Sequence, residues 1–109
     1  STATIKKTVL VDAFCADCPQ DYKDDLLENH KGEPTKPLQE KAVLTASNFG
    51  TVNKYYIETT NDFAVGNALQ KKMVADNGTI KQVYSMNTSH LPFIVQPQQL
   101  ADILLGIGK

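Results

Sequence analysis

The chain has 109 residues, 41% of them hydrophobic, with 11 basic and 12 acidic side chains that leave a net charge of −1. That is one domain or a piece of one, with room for a modest core. The balanced charge steers it toward neither nucleic acid nor an acidic membrane, and because every basic residue is lysine, bidentate arginine recognition of phosphates or base edges is excluded as well. No apolar run approaches the roughly 20 residues that span a bilayer, and no signal peptide opens the chain, so no membrane association is expected. Two cysteines make no disulfide framework; a reducing compartment, and hence a cytoplasmic location, is the expectation.

In chain order, Ser1 to Lys7 reads as a polar, extended lead-in. Val9, Leu10, Ala13 and Phe14 recur at helical spacing and predict a short helix ending near Cys15 to Asp17. Cys18-Pro19 opens a second, because proline suits the first helical position. Asp21, Asp24 and Asp25 fall in its early turns, where acids favour the dipole, and Tyr22, Leu26 and Leu27 form its apolar side. Gly32, Pro34 and Pro37 end it, and Leu38 to Leu44 holds one more short helix. Asn48-Phe49-Gly50 is a turn signal.

Beyond that turn the texture changes. Tyr55-Tyr56-Ile57 is apolar without alternation, as in a strand buried on both faces. Val65, Ala68, Leu69 and Met73 make a helical stripe closed by Asn77-Gly78 as a left-handed cap. Ile80, Val83 and Tyr84 form the next strand. Pro97 opens a last helix with Leu100, Ile103, Leu104 and Ile107 on one face. Strand–helix–strand–helix with short links is a parallel α/β unit. Two parallel strands cannot cover both of their own faces, and residues 1–47 supply no obvious further strands.

Asp62 and His90 each follow one of these strands, separated by 28 residues. Catalytic groups collect at the carboxyl ends of strands in open parallel sheets, and neighbouring strands lie only about 4.8 Å apart. The two side chains are therefore candidate partners: a histidine held by a carboxylate is fixed in one tautomer and stabilised when protonated, as a hydroxyl nucleophile requires of its base. The alternative is structural, with Asp62 capping the helix near Ala64 and His90 solvated in a loop.

Residues 18 to 107 resemble the C-terminal part of the α/β-hydrolase subfamily that contains plant methylesterases, polyneuridine aldehyde esterase and hydroxynitrile lyases. The stretch from Phe49 to Asp62 resembles the strand leading to the triad acid, and Leu69-Gln70-Lys71-Lys72-Met73 the helix after it. Ser89-His90-Leu91-Pro92-Phe93, Gln96-Pro97-Gln98-Gln99-Leu100 and Leu104-Leu105-Gly106-Ile107 resemble the triad histidine and closing helix. The resemblance implies Asp62 as triad acid and His90 as general base, with no cofactor and no metal. It also implies a domain plan: residues 1–47 as the remainder of a helical cap and the return to the core, and residues 48–109 as the C-terminal βαβα part of the hydrolase core. Phe14, Leu26 and Leu91 would then face a small ester substrate.

The chain departs from the family where isoleucine-proline and a basic residue often follow the acid; Phe63, Val65 and Gly66 stand there. No G-x-S-x-G elbow occurs, and Ser1, Ser47, Ser85 and Ser89 all lie outside such a motif. The expected partner is therefore the N-terminal part of the same hydrolase, carrying the nucleophilic serine and the oxyanion hole, with a homodimer of the completed enzyme as an option. Lyases of the family carry lysine directly after the histidine; Leu91 stands there and favours ester hydrolysis. A lyase-like enzyme or a non-catalytic α/β binding module are the alternatives.

Cys15-Ala16-Asp17-Cys18 is a C-x-x-C, but a redox site wants it between a strand and a helix. Zinc would need four ligands where only His30 and distant His90 are at hand. Unreactive, buried or half-exposed cap cysteines are the expectation, with His30 solvated at a helix end.

Overall fold

The computed structural model describes all residues from Ser1 to Lys109. Its centre is a pair of parallel strands. The β-branched and aromatic runs at Lys54–Thr59 (β3) and Ile80–Met86 (β4) pair in the register Tyr56 with Val83, Ile57 with Tyr84, and Thr59 with Met86. A register irregularity sits at Lys54 and Tyr55. The crossover is a helix, Asn67–Asn77 (α4), which starts after Gly66 and ends at Gly78 with φ +71°. That left-handed cap is the one backbone position here that demands glycine. The last segment is two helices, Pro92–Val95 (α5) and Pro97–Ile107 (α6), each opened by a proline whose missing N–H costs nothing at a helix start.

The N-terminal region is a separate layer. Thr2–Ala3 (β1) pairs antiparallel with Glu33–Pro34 (β2), closing a loop that holds two helices, Lys7–Phe14 (α1) and Gln20–Asn29 (α2). Both helices fall where the apolar spacing predicts, with Pro19 as the N-cap of α2 rather than its first residue. A short helix follows at Thr35–Gln39 (α3).

That last helix corrects the expectation of one at Leu38 to Leu44. Proline is tolerated only in a first turn, so Pro37 anchors a helix beginning at Thr35. Val43, 90% exposed, finds no surface to pack on, and short helices draw their stability from such packing. A second correction concerns α4. Leu69 and Met73 of the expected stripe are exposed, and the buried residue is Gln70, with half-buried Asn67 and Val74 on the same face. A third concerns β3, whose residues Lys54 to Glu58 are half-buried rather than enclosed. α4 packs against β3, but nine of the 109 residues are all that is buried. The radius of gyration is 16.0 Å, against about 13 Å for a compact domain of this length. Apolar side chains including Val83, Phe93, Leu104 and Leu105 stay in contact with water.

Candidate active site

The parallel register brings the ends of β3 and β4 level, and the loops that leave them are tied together. Thr60 N–H donates to the Met86 carbonyl at 3.0 Å, Asn61 N–H to that of Thr88 at 3.0 Å, and the Asn61 amide to Asn87 Oδ1 at 2.7 Å. Asp62 and His90 are carried by these two loops. Their side chains meet, with His90 Nδ1 2.8 Å from Asp62 Oδ2.

Asp62 is nearly enclosed, its side chain 2% exposed. Oδ1 accepts the backbone N–H groups of Ala64 and Val65 at 2.8 and 2.9 Å, while Oδ2 accepts the Thr59 hydroxyl at 2.8 Å in addition to the imidazole. Burial alone pushes the carboxyl up, but the hydrogen bonds from Val65, His90, Thr59 and Ala64 outweigh it and hold Asp62 below the ordinary carboxylate range. Of the two alternatives in the sequence, the partnership with histidine is the one seen: Oδ1 closes the bend at Ala64 and Val65, and α4 begins beyond it at Asn67 with no side-chain cap. An ionised carboxylate has no proton to give, so His90 Nδ1 is the donor and Nε2 is left with its lone pair.

His90 is 36% exposed at its side chain, so the imidazole is held on one side and open on the other. The Phe14 ring meets it edge-on, with centroids 5.2 Å apart and planes at 79°. A cleft of about 270 Å³ runs beside the pair, lined by Tyr56, Ile57, Val65, Met73 and Pro92 among others. Burial and the nearby Asp62 and Glu58 charges raise the Tyr56 phenol above its ordinary value. Phe14 also lines a second cavity of about 320 Å³, together with Ile5, His30 and Leu38. Leu26 and Leu91 are half-buried and line no cavity of this chain. His30, expected in solvent, has a buried and unpartnered Nε2, because the segment after α2 turns back beneath the lead-in at Ala3 to Ile5.

Three residues around the pair escaped the sequence reading. Gln70 is 2% exposed. Its amide donates to the carbonyls of Thr59 and Val65 at 2.9 and 2.7 Å and accepts the Thr59 N–H at 2.8 Å. It thereby fixes the end of β3, and with it the hydroxyl that Asp62 uses. Thr59 is the second. The third, Asp17, accepts the Ser89 N–H at 2.8 Å. The available signal was two amides, Asn67 and Gln70, at i, i+3 on what reads as an apolar helix.

The cysteines also differ from expectation: Cys15 and Cys18 are joined in a disulfide, both buried. Their C-x-x-C turn holds the two Cα atoms 5.1 Å apart, within reach of such a bond. No three His, Cys, Asp or Glu side chains gather in a group that could hold a metal ion.

No protein-family model matches the chain. Among curated proteins it is 37% identical over 76 residues to "Putative methylesterase 11, chloroplastic" of Arabidopsis thaliana, a match covering 70% of this chain and 20% of that protein. Methylesterase 14 of the same plant, similarly named, is 34% identical over 76 residues, covering 70% and 22%. The matched part of the chain thus spans about a fifth of the length of these relatives. Among solved structures, polyneuridine aldehyde esterase superposes with TM-score 0.85 at 15% identity, covering all of this chain and 48% of that one. Tomato methylketone synthase I complexed with 2-tridecanone gives 0.84 at 20% identity, covering 99% and 43%. The fold is therefore the C-terminal part of an α/β-hydrolase. The relatives also overturn the cytoplasmic expectation, since they are named as chloroplastic.

Proposed function

Since this chain is homologous to plant methylesterases and has the fold of the C-terminal part of an α/β-hydrolase, we propose that it supplies the acid and the base of a carboxylic ester hydrolase. Residues 48–109 contribute the core unit, and residues 1–47 the remainder of the cap. An N-terminal segment carrying the nucleophilic serine and the oxyanion hole completes the enzyme. The apolar side chains left in water around β4 and α6, and the chain's coverage of less than half of each solved relative, support completion by such a segment.

The observation that carries this reading is the 2.8 Å contact between Asp62 Oδ2 and His90 Nδ1. With Nδ1 committed, Nε2 is the atom that takes the proton from a serine hydroxyl as it attacks a small ester carbonyl. The same proton is then delivered to the departing alcohol. Asp62 stays ionised and stabilises the imidazolium between those events. Leu91, an apolar neighbour of the imidazole where a lyase of the family would place a lysine, favours hydrolysis.

The test is to combine the chain with an N-terminal hydrolase segment that contains a serine elbow and to follow p-nitrophenyl acetate. His90→Ala is expected to abolish turnover of the assembly while its circular dichroism stays that of the parent. Turnover that survives the substitution would show that the base has been wrongly assigned, and an assembly that never turns over ester would favour a non-catalytic module.

A further inference from the structure

The residue just before His90 is held from an unexpected quarter. Ser89 is 1% exposed, so its backbone groups need protein partners. Its carbonyl accepts the Thr88 hydroxyl at 3.0 Å, and its N–H is taken by Asp17, which lies 72 residues earlier in the chain. Asp17 itself sits inside the small ring closed by the Cys15–Cys18 disulfide and by the Cys18 N–H to Cys15 carbonyl bond of 3.1 Å. Phe14, the residue immediately before that ring, is the one whose edge meets the imidazole. The loop and the residue just before it therefore meet the His90 segment twice, once through the Ser89 backbone and once through the imidazole.

We propose that Asp17 is a positioning residue for His90, acting through the Ser89 amide and held in place by the disulfide that encloses it. This rests on the hydrolase reading above, in which His90 is the base. A carboxylate accepting a backbone N–H makes a short, strong, directional bond. It fixes the backbone from which the imidazole projects, so that Nδ1 stays on Asp62 and Nε2 points away. The disulfide removes the freedom that an exposed aspartate in an open turn would otherwise have.

Histidine-selective 15N spectra of the full chain test this, because ring nitrogen shifts report which nitrogen bears the proton, and His30 is the only other histidine. In the parent, neutral His90 is expected to carry its proton on Nδ1. Asp17→Ala is expected to move it toward the Nε2–H form that an unrestrained imidazole prefers. Asp17→Asn, which keeps the shape and an acceptor oxygen, should retain the parent form. In the assembled enzyme Asp17→Ala should lower kcat by about ten- to a hundredfold, as small misplacements of reacting groups do, with KM little changed and Asp17→Asn restoring most of the rate. Double replacement Cys15→Ser with Cys18→Ser should reproduce the Asp17→Ala spectrum. Loss of the Nδ1–H form in neither Asp17 variant, or equal loss in both, overturns the proposal. A parent chain that lacks the Nδ1–H form overturns instead the site reading on which it stands.

Discussion

Replacing Gln70 by leucine removes a side chain of similar volume but leaves three backbone groups without partners. They are the Thr59 N–H, the Thr59 carbonyl and the Val65 carbonyl, now bonded at 2.8, 2.9 and 2.7 Å. Leucine fills the space, so the cost is one of unsatisfied polarity rather than of a cavity. Stranding a buried donor or acceptor costs about 1–3 kcal/mol, and at the low end three of them give about 3 kcal/mol, or roughly a hundredfold in the ratio of folded to unfolded chain. Urea unfolding of the parent and of Gln70→Leu is the assay. The midpoint should fall with an unchanged slope, and the Thr59 amide should exchange with solvent faster relative to the Met86 amide. A loss smaller than about 0.5 kcal/mol, the range of an ordinary surface change, would refute the view that this glutamine secures the strand end beneath the acid.

Two further outcomes follow from the same geometry. The Asp62 carboxyl titrates below its unfolded value, so the stability it contributes is present above about pH 4 and is lost as pH falls through the lower folded value; acid titration followed by circular dichroism should show the parent losing more stability over that interval than Asp62→Asn, and equal losses would contradict the assignment. Gly78, at φ +71° with open space around its Cα, should tolerate alanine only at a conformational cost of about 1 kcal/mol, asparagine costing less, as thermal melts of the two variants can establish.

The elements most readable from the sequence were those whose signals are local. β3 and β4 announce themselves by aromatic and β-branched runs, α6 by its proline start and spaced leucines and isoleucines, and α2 by its early acids. Asp62 and His90 were legible because each follows a strand, and parallel pairing brings strand ends together. The surroundings of the pair were not legible, for a physical reason. Gln70 is buried because the end of a strand offers unpaired amide groups, a demand created by tertiary structure that no periodicity encodes. Asp17 reaches Ser89 across most of the chain length, and the cysteine pairing depends on the turn between them. The helix placed at Leu38 to Leu44 failed because its apolar residues meet no surface, a matter of packing rather than propensity.

Asp62 and His90 lie in loops that leave adjacent parallel strands, and those loops are laced to one another by Thr60, Asn61 and Asn87. The bonds that lace the two loops together are thus local to the ends of β3 and β4, while Asp17 holds the Ser89 amide from the N-terminal region. The contact between carboxylate and imidazole is therefore set by residues of this chain alone. On the hydrolase reading proposed above, a segment bearing the nucleophile would meet a pair already formed.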